Sequence, residues 1–330
     1  MIQVFPAVSV IIPTRNGAKR LSDCLQALTR ALGPHDELIV VNDGSTDETE
    51  TIAMRFSCKV LNIPKSIGAA RARNYGAKQA KNEILFFTDD DIIVNSDIIT
   101  RLRSHFLDPN ISGVVGVLDS QIPFTDYASN LKNLWMRFSY LECPREKVGL
   151  FYTSVASIRR EVFYQVGGFD ENYIGASLLE DTEFGQRVWQ QGYHIRIDPG
   201  LAVTHVKHYT WKSIIKTDFD RARALTHMKL RKWGQKFYTS VPLSFQLAVP
   251  IFLFFLVVIV SSWVFNFSIW WSTLPLCLYF ALTANWIKFL FQSRGFFFGI
   301  MGTLFHPIDS FAIGLGMVSA ILRHLRGKSY

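Results

Sequence analysis

With 330 residues, the chain holds one domain of ordinary size and something more. The remainder is apolar, because roughly the last ninety residues carry three long hydrophobic stretches, which argues against a soluble multidomain enzyme and for a membrane-anchored one. The net charge of +8 does not point to nucleic acid: residues 205–240 hold nine Lys or Arg against only Asp218 and Asp220, just before the first hydrophobic stretch. Basic residues beside a membrane segment favour cytoplasmic placement and attract anionic headgroups.

The start, MIQVFPAVSVIIP, has no basic leader region and no small-residue cleavage site, and reads as a first core strand, so the bulk of the chain is expected in the cytoplasm. Cys24, Cys58, Cys143 and Cys277 show no zinc or disulfide spacing and suit a reducing compartment. Residues 8–12 are an apolar strand that ends in the turn residues PTRNG, and Leu21, Cys24, Leu25 and Leu28 then recur at the spacing of one helix face. A second strand at 37–41 stops at NDGSTD. Strand, helix, strand in this rhythm implies parallel strands joined by crossover helices, with ligands at the carboxyl ends, where Arg15 and Asp43 fall.

A helix over 48–56 and a strand over 59–63 come next, and GAARARN then opens a helix ending near residue 81. Small residues ahead of Arg71 and Arg73 let a helix start close to an anionic ligand, where guanidinium and backbone N–H groups can meet phosphate. A surface helix with solvated arginines is the plainer alternative. Residues 85–94, LFFTDDDIIV, read as a buried strand delivering Asp89, Asp90 and Asp91 to its end. Three adjacent carboxylates repel one another unless a divalent cation or basic groups neutralise them, and oxygen ligands at an open site suit Mg2+ or Mn2+. The plainer alternative is a solvated acidic loop. A helix over 96–107 and a strand over 113–118 follow.

VSVIIPTRNG, ELIVVNDGSTD, GAARARNYGAKQA and EILFFTDDDIIV, in this order, resemble the nucleotide-binding half of the family 2 glycosyltransferases (GT2). SIRREVFYQVGGFDENY and LLEDTEFGQRVWQQGY resemble the acceptor-side half, so the similarity covers roughly residues 8–205. The resemblance implies an α/β domain of GT-A type, Rossmann-like, followed by an α-helical membrane region. It also implies a UDP-, GDP- or dTDP-linked sugar donor, with Asp43 on the base and Pro13, Arg15 and Asn16 lining the same pocket. Asp89 and Asp91 match the outer residues of the family's DxD metal motif, and Asp90 the middle residue that faces sugar or ribose. Asp181 matches the general base, with Glu180 in support. His205 stands where some GT-A enzymes place a histidine on the metal or diphosphate, although a lone histidine is more often structural. The QxxRW motif of processive polymer synthases is missing, which favours addition of a single sugar.

Beyond this half, Trp211, Ile214, Ile215, Phe219, Ala222 and Leu225 fall on one face among basic residues, the pattern of a helix in the headgroup layer. Hydrophobic spans are expected at 244–265 and 269–291, with a third at 296–322 broken or re-entrant near Pro307. The expected organisation is thus a GT-A domain at 1–210, interfacial helices at 211–240 and a membrane region at 241–330. The function expected is transfer of one sugar to a lipid or polyprenyl acceptor at the cytoplasmic face of the cell membrane, by an inverting route. A polyprenyl-phosphate sugar synthase and a non-catalytic membrane scaffold are the alternatives.

Overall fold

A computed structural model describes residues 5–172, 179–231 and 235–326. The chain begins β1 (Val8–Thr14), α1 (Leu21–Ala31), β2 (Glu37–Asp43), α2 (Thr49–Ala53), β3 (Lys59–Ile63), α3 (Ala69–Gln79), β4 (Ile84–Phe87) and β5 (Ile92–Val94). It continues through α4 (Ile98–His105), β6 (Ile111–Leu118), α5 (Tyr127–Leu141), β7 (Ala156–Arg159), α6 (Arg160–Gln165), α7 (Glu180–Gln190) and β8 (His194–His205). Four further helices close the chain: α8 (Trp211–Arg231), α9 (Leu243–Phe265), α10 (Thr273–Arg294) and α11 (Phe296–Leu325).

The strands form one eight-stranded sheet in the order β3-β2-β1-β4-β7-β6-β8-β5. β1, β2, β3 and β4 are mutually parallel; the near-continuous apolar runs of β1, β2 and β4 are buried, as strands covered on both faces must be, whereas β3 at the sheet edge exposes Lys59 and Asn62. The face of α1 marked by Leu21, Cys24, Leu25 and Leu28 is fully buried, as its spacing predicts. Gly76 lets α3 approach the sheet closely, since a Cβ there would stand 2.6 Å from Ile11 Cγ2. The strand order reverses on either side of β1, which places a topological switch point at the C-terminal ends of β1, β2 and β4.

The acidic triad does not fray from one long strand. β4 ends at Phe87, the chain bends through Thr88–Asp91, and β5 starts at Ile92 on the far edge of the sheet, antiparallel to β8. A buried five-phenylalanine cluster lies under this bend. Phe87, Phe151, Phe163, Phe169 and Phe184 meet with ring centroids 4.9–6.0 Å apart, fastening β4, α6 and α7 to one another.

Two compact units emerge: Met1–Pro123 with Cys143–Lys207, and Phe124–Glu142 with His208–Tyr330. The division expected at residue 210 therefore overlooks α5, which packs with the C-terminal helices through Leu131, Leu134 and Phe138 against Phe245, Trp286 and Leu290. α9, α10 with the 3-10 turn before it, and α11 are each long and apolar enough to cross a membrane. α11 is one continuous helix through Pro307, where the sequence suggests a break.

Candidate active site

Each parallel strand delivers polar groups to the switch point. At the end of β2, the buried Asp43 carboxylate accepts from Ser66 Oγ (2.7 Å) and from the backbone N–H groups of Ile67 (2.7 Å) and Gly68 (3.0 Å). Asp43 thus shapes the turn that starts α3, and with roughly four lone-pair positions per carboxylate it keeps capacity for one more donor. Gly44 after it sits at φ +65°, and a Cβ there would meet Ser66 N at 2.5 Å, so the turn needs glycine. Beyond Pro13 at the end of β1, Asn16 Oδ1 accepts from Thr46 N (2.9 Å) while its own N–H donates to Ser45 Oγ (3.0 Å), which ties the first loop to the second. Arg15 beside it is exposed.

Asp89, Asp90 and Asp91 have three different surroundings. Asp90 is buried and faces Thr14, whose Oγ1–H donates to it at 2.6 Å, and Arg20, whose guanidinium meets it at 3.1 Å. Burial pushes the Asp90 carboxyl up despite these two partners. Asp89 receives Arg73 Nη2 at 2.8 Å and Ser154 Oγ at 2.7 Å. Asp91 lies 3.4 Å from His205 Nε2 across the β5–β8 pairing, where its carbonyl also accepts from Val206 N at 2.7 Å. Burial alone would raise the Asp91 carboxyl, but His205, with Lys207 and Arg20 farther off, holds it below the ordinary carboxylate range.

Arg73 is the centre of this arrangement. It is buried in α3, and one side of its guanidinium holds Asp89 while Nη1 holds Glu180 Oε1 at 2.8 Å. Its Cζ lies 5.9 Å from the Phe169 ring centroid, and Nε has no hydrogen-bond partner. Burial works against its charge, and Asp89 and Glu180 more than offset that, so Arg73 holds its proton more tightly than a free arginine. The arginine expected on phosphate thus joins the metal-motif aspartate to the acidic pair of α7.

α7 opens with Glu180, Asp181 and Glu183, where the helix dipole favours carboxylates. Glu180 is buried against Arg73, whereas Asp181 is half-buried, its Oδ1 accepting from Thr182 N at 2.6 Å. Asp181 is therefore the more accessible carboxylate of the pair. Arg187 pins the helix by donating to the carbonyls of Val166 and Gly168, both at 2.7 Å, and by pairing with Glu183 at 2.8 Å. Arg71 points elsewhere, to the Glu171 carbonyl at 3.2 Å, and lines a groove of about 810 Å³ with Tyr75, Lys78 and Tyr164. Glu171 also lines it, whereas Asp43, Asp89, Asp90, Asp91, Glu180 and Asp181 do not.

Reading along the sequence misses Thr14, Arg20, Ser66 and Ser154. Thr14 lies inside the PTRNG turn and could have been noticed there, whereas Ser154 carries no local signal. Among the described residues no three His, Cys, Asp or Glu side chains form a ready metal site. Asp91 and His205 nonetheless make a compatible pair: an anionic oxygen and an imidazole nitrogen, neither fully sealed from solvent.

Residues 9–167 match the glycosyl transferase family 2 domain, and residues 134–210 match a second domain, described as the N-terminal domain of galactosyltransferase. The O-antigen chain rhamnosyltransferase RfbN of Salmonella typhimurium is 30% identical over 227 residues, spanning 64% of this chain and 70% of that protein. The probable glycosyltransferase YdaM of Bacillus subtilis is 28% identical over 316 residues, spanning 88% of this chain and 73% of its own length. Among solved structures, the mannosyltransferase PcManGT from Pyrobaculum calidifontis, in complex with GDP-Man and Mn2+, aligns over 99% of this chain and 89% of its own with a TM-score of 0.59 at 19% identity. The sheet, its switch point and the ordered motifs thus have one common explanation: the chain belongs to glycosyl transferase family 2, with a GT-A catalytic unit followed by apolar helices.

Proposed function

We propose that this enzyme is an inverting, metal-dependent transferase that moves a single sugar from a nucleotide-sugar donor to a lipid-linked acceptor at the cytoplasmic face of the membrane. The observation that carries this reading is the Arg73 bridge. By fixing Asp89 and Glu180 in one ion-paired unit, it leaves Asp91 with His205 on one side and Asp181 on the other as the carboxylates able to meet ligands.

In this reading Asp91 and His205 hold Mg2+ or Mn2+, with Asp89 beside them. A cation there supplies neutralisation of the charge that builds on the departing nucleoside diphosphate. Asp43 uses its remaining acceptor capacity on the base edge, near Pro13, Arg15 and Asn16. Asp181 accepts the proton of the acceptor hydroxyl as that oxygen bonds the anomeric carbon and the bond to the diphosphate breaks, with inversion. Glu180, neutralised by Arg73, keeps a second free negative charge away from Asp181. A relative named for O-antigen chain rhamnosylation, and a structural neighbour carrying GDP-Man and Mn2+, support a nucleotide-sugar donor and a divalent ion. The lipid acceptor is supported by the apolar helices and the basic helix before them.

The test incubates membranes containing the full chain with radiolabelled nucleotide sugars and extracts the lipid. Label should enter the lipid fraction, disappear in EDTA and return with Mg2+ or Mn2+. Full transfer in EDTA would remove the metal from the reading. Full transfer by Asp181→Asn would replace the hydroxyl acceptor with an anionic one such as a polyprenyl phosphate.

A further inference from the structure

α3 has two faces, and only one of them serves the Arg73 bridge. Arg71, Asn74, Tyr75 and Lys78 recur at steps of three and four residues, the spacing of one helix face, whereas Arg73 is buried with Ala70, Ala72, Gly76 and Ala77. The first set lines the groove of about 810 Å³, which α6 and the loop after it complete through Tyr164 and Glu171. That volume falls within the range of about 300–1,000 Å³ typical of small-molecule sites. The groove has a fixed wall. Asn74 grips the backbone of Phe169 with both ends of its amide, donating to the carbonyl and accepting from the N–H, each at 2.9 Å, and it donates again to Glu171 Oε1 at 3.1 Å. The Phe169 ring in turn lies against Arg73. One loop thus walls the groove and supports the ion bridge, ahead of the helix that carries Asp181.

The other polar groups of the groove stay open. Arg71 bonds the Glu171 carbonyl through Nε alone, so its two terminal nitrogens have no partner among the described residues. Lys78 and the hydroxyls of Tyr75 and Tyr164 likewise make no hydrogen bond among the described residues. Glu171 Oε2, 3.7 Å from Arg71 Nε, stands beside these donors as an acceptor. Tyr75 and Tyr164 are 39% and 49% exposed. This set selects a class of ligand. A ligand made only of phosphate would be repelled by the Glu171 carboxylate, and a purely apolar one would strand the Arg71 and Lys78 cations away from water. A saccharide meets neither objection. Each sugar hydroxyl both donates and accepts, so neighbouring hydroxyls can use Arg71 and Glu171 together, while the C–H face of a pyranose ring lies on a tyrosine ring. Two exposed tyrosines in one groove give two such platforms, enough for more than one sugar residue.

We propose that this groove binds the saccharide portion of the acceptor, the sugar residues behind the one that reacts, which makes the acceptor a lipid-linked oligosaccharide. The proposal rests on the lipid-linked acceptor of the reading above. Two measurements on the full chain in detergent test it. First, fluorescently labelled protein is applied to an array of bacterial oligosaccharides with no donor or lipid present. Retention on at least one glycan, lost in the double variant Tyr75→Ala/Tyr164→Ala, is expected. No retention on any glycan, or equal retention by the double variant, overturns the proposal. Second, transfer from radiolabelled nucleotide sugar to extracted membrane lipid is followed as the lipid is varied. The double variant should raise the acceptor KM about tenfold, the ordinary worth of two aromatic contacts, with donor KM and kcat at their parent values. An unchanged acceptor KM overturns the proposal, and so does a raised donor KM, which assigns the groove to the nucleotide sugar. Absence of any transfer by the parent chain counts against the transferase reading instead, and the array then decides the groove by itself.

Discussion

At the C-terminal edge of the sheet, Arg73 stands between Asp89 and Glu180; in the helical unit, Lys132 of α5 pairs with Asp218 of α8, and Asp309 of α11 adjoins them. Both are charge clusters at the meeting of three chain segments. They differ in closure. The Lys132 and Asp218 side chains are 2% and 8% exposed, while Asp89 is 27% exposed and has Asp91 and His205 next along the same open edge. A closed cluster can only fasten helices, because no ligand reaches it. An open one keeps capacity for a partner that the folded chain does not supply, and the unpartnered Arg73 Nε marks where its own hydrogen bonding is incomplete.

The largest effect is expected at Asp181. Asp181→Asn should lower kcat by about 10²- to 10⁴-fold, the usual worth of a general base, with donor KM and thermal stability nearly unchanged. A variant that lost donor binding would place Asp181 with the metal ligands. In the closed cluster the effects should be reversed in kind. Lys132→Met leaves the Asp218 carboxylate buried without its cation and should cost about 3–5 kcal/mol of stability, read as a lowered unfolding midpoint in detergent. Unaltered stability would show that Asp218 and Asp309 can manage without the lysine. Asp91→Asn comes next in size: a weakened ligand pair should raise the Mn2+ concentration needed for half-maximal turnover by about 10- to 100-fold. No change in that concentration would leave the ion without Asp91.

Much of the open cluster was legible in the sequence because parallel strands hand their ligands to one edge, and the acidic residues sit directly behind apolar runs. The residues NDGSTD after β2 and DDD after β4 could be placed on that edge from the strand pattern alone. The two ion pairs of Arg73 were not legible there. On α3 it looks like a phosphate or solvent residue, and its partner Glu180 is 107 positions away, a separation to which helix periodicity is blind. α5 shows a related limit. Leu131, Leu134 and Phe138 fall at helical spacing and announce a buried face, yet spacing does not say which unit buries it. The helix belongs with residues 208 onward although it is encoded between two strands of the sheet. Pro307 misled for a third reason: a proline removes one backbone donor, and α11 simply continues through the loss.

The smallest effect tests the boundary between the two kinds of cluster. Ser154 donates to Asp89 Oδ2 at 2.7 Å, while Oδ1 is held by Arg73 at 2.8 Å, so Asp89 has one neutral and one charged partner. Ser154→Ala removes the neutral one. Because Asp89 is partly exposed, water can take the vacated position, and the net loss should be about 1 kcal/mol, near the ordinary worth of one hydrogen bond. The melting point should fall slightly and kcat should stay close to the parent value, since Arg73 still fixes the carboxylate. If kcat instead falls as far as in Asp181→Asn, Asp89 needs both partners to be aimed correctly. Its orientation, and not only its fastening to Glu180, then belongs to the chemistry of the open edge.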